Sequence, residues 1–275
     1  MDTYLRRLGL SHLAGAPPSA DGLRALHRAH TERVPYECLD IWLGRATTVD
    51  PVESVGRILR GRGGYCFHLN GAFAVLLESL GYRVTRHVGG VQRRGGAAAG
   101  ASGDHLALTV ELAGGRWLVD VGLGDALYEP LPLTEGEHRQ GPFTYGLRAS
   151  EAERGGWRFD HDRRGGFAGM DFRTPAVPME AFAAMHEHMW TSPDSGFVRT
   201  ATVQRRDAGG ADVLRGLTLT RVAETITRTV VDEPADYFTA LGDLFGLTLG
   251  EVTGAERAAL WRRLVTAHER WSSGA

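Results

Sequence analysis

The sequence contains no lysine; all 31 of its basic residues are arginine. Lysine forms the Schiff bases that hold pyridoxal phosphate, and a lysine is part of the phosphate-binding loop of many nucleotidases. The composition therefore excludes Schiff-base catalysis, a pyridoxal phosphate enzyme and a nucleotidase of the P-loop type.

Cysteine is nearly as scarce, with only Cys38 and Cys66 in 275 residues. Two thiols are too few for a disulfide framework or for a structural zinc site built from cysteines. His186 and His188 do not offer a metal pair either, because residues two apart lie on different faces of a helix. We therefore expect no bound metal and a free thiol that is available as a nucleophile.

Long hydrophobic stretches are also missing. The longest runs resemble Phe73–Leu77, whereas a helix that crosses a bilayer needs about 20 apolar residues. The first ten residues include an acid, a tyrosine and two arginines instead of the apolar core of a signal peptide. We expect a cytoplasmic protein without a membrane partner.

Neither sign of charge is in excess, since 31 basic and 33 acidic residues give a formal net charge of −2. Proteins that bind nucleic acid through its backbone are usually strongly basic, so no nucleic-acid partner is predicted. The length and the hydrophobic share of 43% suit one large domain or two to three smaller lobes.

The first third of the chain is predicted to be helical. Ser19 or Asp21 can cap one helix, and Asp50-Pro51 opens a second one. Serine and aspartate side chains accept hydrogen bonds from the free N–H groups of a helix start, and proline has no N–H group that would need a partner. A third helix is predicted from Cys66 to Leu80, with Gly81 ending it.

Alternation of apolar and polar residues predicts strands in the rest of the chain. The predicted strands are Tyr82–Val91, His105–Leu112, Arg116–Val121, Phe143–Leu147, Trp157–Asp160, Val198–Arg205, Leu214–Arg221 and Glu224–Val231. Helices are predicted at Met179–Met189, Pro234–Leu244 and Ala255–Trp271. The fold class is therefore α+β.

The segment Arg62-Gly63-Gly64-Tyr65-Cys66 has the features of a nucleophile site. Two glycines allow a tight turn and close approach of a substrate, and the cysteine opens a helix. A helix start favours a thiolate and offers free N–H groups to a developing oxyanion.

His105 and Asp120 are the candidate partners of Cys66. A carboxylate inside an apolar strand, as Asp120 is in Trp117–Gly122, must be paired because an unpaired buried charge is costly. Symmetric pairing about Gly114-Gly115 places Asp120 opposite roughly Thr109, some four residues from His105. Contact between the two side chains then requires a bulge or a different register.

Together the three residues form a nucleophile, a base and an orienting acid. Cys66 attacks an acyl group as a thiolate, His105 takes up and returns the proton, and Asp120 fixes the tautomer of His105. The order cysteine, histidine, acid is that of papain-like enzymes. Taken singly, each residue is more often structural, as a buried thiol, a strand histidine or a paired carboxylate.

Four blocks carry patterns that occur together, in the same order, in one enzyme family. They are Val34–Asp40 with Pro-Tyr-Glu, Arg62–Asn70 with Arg-Gly-Gly-x-Cys and an asparagine four residues later, Trp117–Gly124 with Trp-x-x-Asp-Val-Gly-x-Gly, and Thr191–Phe197 with Ser-Pro-x-Ser-x-Phe. These blocks resemble the arylamine N-acetyltransferase family, and the three candidate residues fall on its triad positions.

The resemblance implies three lobes around a papain-like Cys-His-Asp core. They are a helical bundle over residues 1–82, a β-barrel over 83–178 and an α/β lid over 179–275. It also implies a ping-pong reaction, in which acetyl-CoA acylates the cysteine and an arylamine, hydrazine or arylhydroxylamine then takes the acetyl group. Acetyl-CoA would be a co-substrate, and the small amine the acceptor.

The same resemblance implies positions for both substrates. Gly122 and Gly124 match the glycine turn that lies near bound CoA, and Tyr36, Phe67 and Leu123 are the expected substrate contacts. Leu123 departs from the family, which commonly has a phenylalanine there, so stacking against an aromatic acceptor is lost.

This departure keeps a second function open, that of an amide synthase from the same family. Such an enzyme takes a polyketide acyl chain from an acidic acyl carrier protein and transfers it to an amine. Arg163-Arg164 and Arg205-Arg206 are candidate docking residues for that protein, and Cys38 replaces the family's usual asparagine. A papain-like hydrolase is a third reading, although no part of the sequence resembles a peptide-binding cleft.

Overall fold

Helices and strands alternate in blocks along the chain. The computed structural model describes residues 1–96 and 99–273, with side chains as far as residue 270. Within these residues the α-helices are α1 Asp2–Leu8, α2 Ala20–Arg33, α3 Leu39–Leu43, α4 Pro51–Leu59, α5 Cys66–Ser79, α6 Ala183–Thr191, α7 Gly196–Arg199, α8 Pro234–Phe245 and α9 Gly254–Ser273. Short 3₁₀ helices cover Ser11–Leu13 and Met179–Phe182.

Thirteen strands lie in the same described ranges and form two sheets. They are β1 Tyr36–Glu37, β2 Arg83–Gln92, β3 His105–Leu112, β4 Gly115–Val119, β5 Leu131–Pro132, β6 Gly136–Gln140, β7 Phe143–Ala149, β8 Trp157–Asp160, β9 Gly169–Phe172, β10 Thr202–Asp207, β11 Gly210–Arg215, β12 Thr218–Val222 and β13 Ile226–Val230.

The N-terminal helices begin where the capping residues predict. The side chain of Ser19 accepts a hydrogen bond from the backbone N–H of Gly22 at the start of α2, and that of Asp50 accepts one from Val52 at the start of α4. These caps satisfy N–H groups that have no partner within the helix. Helix α5 begins at Cys66 and ends one residue earlier than predicted.

The larger sheet has eight antiparallel strands in the order β5-β4-β3-β2-β9-β8-β7-β6 and curls into a nearly closed barrel. Helix α5 packs against its β3 and β2 strands. This helix is buried on nearly all sides, with Leu69, Phe73 and Leu77 fully inside the core. Burying each such side chain stabilises the fold by about 1.5–3 kcal/mol, and it fixes the start of α5 against the barrel.

The smaller sheet has the order β1-β10-β11-β12-β13. Its first strand comes from the N-terminal part of the chain, so that Tyr36 pairs with Gln204, which is far away in the sequence. The α+β class predicted from the sequence is confirmed, whereas the lobe boundaries after residues 82 and 178 stay a prediction.

Two predicted strands of the C-terminal part differ from the structure. The segment predicted as Val198–Arg205 begins with the short helix α7, because Ser195 caps that helix by accepting a hydrogen bond from the N–H of Phe197. The segment predicted as Leu214–Arg221 is a hairpin that turns at Gly216, whose φ of 55° suits glycine. In the described residues, no helix has the length and the apolar content that a bilayer crossing needs.

Candidate active site

The loop before Cys66 is held by buried ion pairs. Glu37, whose side chain is fully buried, accepts hydrogen bonds from Nε and Nη2 of Arg62 at 3.0 Å each. Its carboxylate also accepts the N–H of Gly63 at 3.2 Å. Asp40 pairs with Arg62 at 2.9 Å and with Arg57. Removing one partner of a buried ion pair leaves the other charge buried without compensation, which is strongly destabilising. This network therefore holds the loop in place.

The two glycines of this loop are needed for close packing. A methyl group at Gly63 would lie 1.8 Å from the carbonyl oxygen of Pro35, and one at Gly64 would lie 2.5 Å from Cβ of His68. Gly64 also forms a parallel bridge with Tyr36. The segments 34–40 and 62–70, which carry two of the sequence patterns, therefore pack directly against each other.

Cys66 is the first residue of α5 and lies at the base of a cleft of about 570 Å³. The thiol is 3% exposed and donates a hydrogen bond to the backbone carbonyl of Asp104 at 3.6 Å. Gly122 covers it on one side, where a methyl group would lie 2.8 Å from Cα of Cys66. The thiol thus faces a cavity large enough for a small molecule.

His105 and Asp120 meet although the predicted register keeps them apart. In the structure Leu108 pairs with Val119, so the loop consists of Ala113 and Gly114 and the pairing is shifted by two residues from the prediction. Asp120 follows directly after Val119 and lies a diagonal step from His105, a distance that side chains can bridge. The Nε2 atom of His105 lies 2.7 Å from Oδ2 of Asp120.

Cys66 and His105 line the same cleft, and the Cys66 side chain contributes to the raised pKa of His105. Burial by itself lowers the pKa of His105, but the carboxylate of Asp120 outweighs burial and raises that pKa well above its ordinary value. The imidazolium form is therefore favoured between the thiol and the carboxylate.

Asn70 binds to the groups around Asp120, a role that was not predicted from the sequence. Its Nδ2 donates to Oδ1 of Asp120 at 2.7 Å and to the carbonyl of Leu106 at 2.6 Å, and its Oδ1 accepts the N–H of Val121 at 2.9 Å. The i, i+4 spacing from Cys66 places both on one face of α5, which is the signal that could have identified Asn70.

The predicted contact residues are only partly in the cleft. Tyr36, Gly122 and Leu123 line it. Phe67 is fully buried and packs on Phe182 with ring centroids 5.1 Å apart, because one residue after Cys66 the helix has turned by about 100° toward the core. Gly124 lies behind the wall, and a methyl group there would be 2.0 Å from Oε1 of Gln204.

A second histidine–carboxylate pair lies in the wall of the cleft. Oδ1 of Asp125 is 3.3 Å from Nε2 of His161, and its Oδ2 accepts the N–H of Gly166 at 2.6 Å. Burial raises the pKa of Asp125, but His161 and the hydrogen bonds outweigh burial and lower it. This pair fastens the loop that contributes Gly166 and Phe167 to the cleft.

One arginine of each pair considered for docking is held within the fold, whereas Arg163 is exposed and Arg205 is half-buried. Arg206 is 1% exposed, and it donates to the backbone carbonyls of Ala126, Gly210 and Gln140 at 2.9–3.2 Å. Arg164 is bound to Asp162 at 2.9 Å. Both side chains hold the fold, so these two residues cannot serve as docking charges.

In the part of the chain that the structure describes, no group of three or more histidine, cysteine, aspartate or glutamate side chains is placed to hold a metal ion. His186 accepts a hydrogen bond from the hydroxyl of Tyr65 at 2.7 Å and donates one to the carbonyl of Thr47 at 2.7 Å. Its role is therefore structural.

Known structures share this fold over nearly the whole chain. An arylamine N-acetyltransferase from Mycobacterium marinum, solved in complex with CoA, superimposes with a TM-score of 0.85 and 27% sequence identity, covering 95% of this chain and 97% of that one. The structure from Mycobacterium abscessus gives a TM-score of 0.84 at 28% identity, covering 96% and 94%. The fold is that of arylamine N-acetyltransferases, a class of transferases.

Sequence comparison gives the family. The N-acetyltransferase family model matches residues 19–253. An arylamine N-acetyltransferase of Mycolicibacterium smegmatis is 30% identical over 269 residues, which is 92% of this chain and 94% of that protein. Proansamycin X synthase of Amycolatopsis mediterranei is 35% identical over 139 residues, or 49% and 52%. This chain belongs to the N-acetyltransferase family.

Proposed function

We propose that this enzyme moves an acetyl group from acetyl-CoA to Cys66 and from there to the nitrogen of an arylamine, hydrazine or arylhydroxylamine. The relatives named as arylamine N-acetyltransferases and the neighbour solved with CoA support the two substrate classes. The observation that carries the proposal is the buried contact of His105 with Asp120, in the cleft that Cys66 also lines.

In the first half-reaction the thiolate of Cys66 attacks the carbonyl carbon of the acetyl thioester. The carbon–sulfur bond to the enzyme forms, the bond to the sulfur of CoA breaks, and His105 gives its proton to the departing thiolate. The free N–H groups at the start of α5, where Cys66 lies, would stabilise the developing oxyanion. The products are acetyl-Cys66 and CoA.

In the second half-reaction the amine nitrogen of the acceptor attacks the acetyl carbon. His105, now neutral, takes the proton that the nitrogen loses, and the thiolate of Cys66 leaves as the carbon–nitrogen bond forms. Asp120 keeps Nε2 of His105 protonated, so the other ring nitrogen faces the reacting atoms. Asn70 holds Asp120 in that position.

Leu123 and Tyr36 line the part of the cleft where the acceptor would bind. A leucine gives apolar contact without the stacking that an aromatic side chain offers. We therefore expect acceptance of alkyl hydrazines beside arylamines. The cytoplasmic location expected from the sequence stays a prediction.

The amide synthase reading remains a second candidate, supported by the similarity to Proansamycin X synthase. In that reading the acyl group comes from the phosphopantetheine arm of an acyl carrier protein. The chemistry at Cys66 is the same in both functions, so the acyl donor is what distinguishes them.

Two-substrate kinetics test the proposal. With acetyl-CoA and aniline varied together, a ping-pong reaction gives parallel lines in double-reciprocal plots, and CoA is released before aniline is added, in an amount equal to the enzyme. If acetyl-CoA releases no CoA while an acyl-loaded carrier protein acylates the enzyme, the synthase function replaces the one proposed.

A further inference from the structure

Phe167 is an aromatic residue on the barrel side of the active-site cleft. It comes from the loop between β8 and β9, and it lines the cleft together with Leu123 and Val91. These three side chains belong to, or pack against, one hydrophobic cluster that is built mainly from the barrel strands. Leu123 and Val91 are aliphatic, so Phe167 provides the aromatic surface of this wall.

A hydrogen bond joins the segment of Phe167 to the segment of Leu123. Oδ2 of Asp125, two residues after Leu123, accepts the N–H of Gly166, the residue before Phe167, at 2.6 Å. Leu123 in turn follows Gly122, the glycine that covers Cys66. Phe167 and Leu123 therefore lie on the same side of the cleft as the glycine next to the reacting thiol.

The ring of Phe167 is held in place by its neighbours. It packs edge-on against the ring of His161, with centroids 4.4 Å apart and an angle of 67° between the planes. A methyl group at Gly165 would lie 2.2 Å from Cε1 of His161, so the loop runs directly over that ring. Nε of Arg94, in the loop after β2, donates to the carbonyl of Gly165 at 3.2 Å. A contact surface that is fixed before binding costs little conformational entropy when a ligand binds.

The helical side of the cleft complements this wall. Met185 and Met189 of α6 also line the cleft. Methionine side chains adapt their shape to a ligand and make favourable contacts between sulfur and an aromatic ring. An aromatic acceptor would therefore contact a fixed ring on the barrel side and adaptable thioethers on the side of α6.

We propose that Phe167 is a specificity-determining residue, whose ring contacts the aromatic ring of the acceptor and favours aryl over alkyl amines and hydrazines. This inference rests on the proposed function, because the acceptor has to reach acetyl-Cys66 along the wall that Leu123 and Phe167 form. A contact between two aromatic rings strengthens binding by about two- to tenfold. Phe167 acts on the acceptor, so acylation of Cys66 by the donor does not depend on its ring.

Two acceptors with the same nucleophilic group test the assignment. Phenylhydrazine and methylhydrazine differ in whether an aryl or an alkyl group is attached to the hydrazine. The variant Phe167→Leu should lower the kcat/KM for phenylhydrazine about two- to tenfold relative to that for methylhydrazine. The rate of CoA release from acetyl-CoA without an acceptor should stay unchanged, because that step precedes acceptor binding.

Two further variants complete the test. Phe143 is fully buried in the same hydrophobic cluster and lies outside the lining of the cleft, so Phe143→Leu is the matched control. It should lower the thermal stability and leave the ratio of the two kcat/KM values unchanged. A variant that fails to fold is recognised by its far-ultraviolet circular dichroism, and Phe167→Met then serves as the replacement that best conserves volume.

An unchanged ratio in a folded Phe167 variant, or an equal loss for both hydrazines, would overturn the assignment of Phe167 while leaving acetyl transfer intact. A ratio that falls as far in Phe143→Leu would overturn it as well, because the effect would then come from the packing of the cluster. If the unaltered enzyme releases no CoA from acetyl-CoA, that result would instead contradict the proposed function.

Discussion

The substitution Asp120→Asn probes the group on which the chemistry depends. Oδ1 of Asp120 accepts from Asn70 at 2.7 Å and from the N–H of Gly122 at 2.9 Å, and both bonds suit the carbonyl oxygen of an asparagine. The NH₂ group then faces Nε2 of His105 and can only donate to it. His105 must therefore carry its proton on Nδ1, the nitrogen that has to accept the proton of Cys66.

The geometry thus survives while the tautomer is reversed. The acylation rate of Cys66 should fall by about 10³- to 10⁴-fold, as when the orienting acid of a serine protease triad becomes an amide. That loss corresponds to about 4 to 5 kcal/mol of activation free energy. Loss of stability should be smaller, because no side chain changes size.

The pH profile gives a second readout. Asp120 raises the pKa of His105 above its ordinary value, so the imidazolium persists at neutral pH and is lost as the pH rises through the raised pKa. The contribution of this pair to stability is accordingly full below pH about 6.5 and declines above it. Acylation in the unaltered enzyme should extend to alkaline pH, and Asp120→Asn should move its alkaline limb to lower pH.

Stopped-flow measurement of CoA release gives the acylation rate directly. Asp125→Asn is the matched control, since it alters the other histidine–carboxylate pair of the cleft, which does not contact Cys66. That variant should acylate within a few-fold of the normal rate. A near-normal rate and an unmoved pH profile in Asp120→Asn would refute the role of Asp120.

Three further substitutions have expected outcomes. Arg62→Met leaves Glu37 buried without its main partner and should lower the free energy of unfolding by about 3–5 kcal/mol in urea titrations. Gly124→Ala places a methyl group against Gln204 at a φ of 64°, and should raise the KM for acetyl-CoA in steady-state assays in addition to costing about 1 kcal/mol of stability. Leu123→Phe adds a ring to the cleft and should improve kcat/KM for aniline over methylhydrazine by about two- to tenfold.

Each of these has a control and a contradicting result. Arg24→Met breaks an exposed pair with Asp21 and should cost less than about 1 kcal/mol, and a similarly small loss in Arg62→Met would contradict the network. Gly155 has a similar φ of 71° but has open space around it, so Gly155→Ala is the control. An equal rise of the KM for acetyl-CoA in that variant would show that the effect of Gly124→Ala does not come from the contact with Gln204. If Leu123→Phe leaves the preference for aniline over methylhydrazine unchanged, the acceptor does not bind against residue 123.

Local features of the fold followed from the sequence, because short-range chemistry decides them. The caps at Ser19 and Asp50 set helix starts correctly. The hairpin of β3 and β4 was predicted with the right strands, but its register depends on which two residues turn, and the turn lies one residue earlier than Gly114-Gly115. The resulting two-residue shift in pairing keeps the Asp120 side chain on the same face of the hairpin and brings it within reach of His105.

Features that depend on long-range packing were not predictable from residue type. An arginine is usually exposed, yet Arg206 is buried because four backbone carbonyls from separate segments of the chain converge on it. From the sequence, Asn70 and Gln204 are ordinary polar residues. The fold places Asn70 against Asp120 and places Gln204 in the lining of the cleft. The contact of Glu37 with Arg62 joins two segments that are distant in the sequence and become neighbours only when the chain folds.

Intact-mass spectrometry after mixing with acetyl-CoA, without an acceptor, tests the central claim most directly. The enzyme should gain the mass of one acetyl group, Cys38→Ala should gain it too because that buried thiol lies outside the cleft, and aniline should remove it. The adduct should be absent from Cys66→Ala. An acetyl group that persists in Cys66→Ala, or an unaltered enzyme that takes none from acetyl-CoA, would contradict the account.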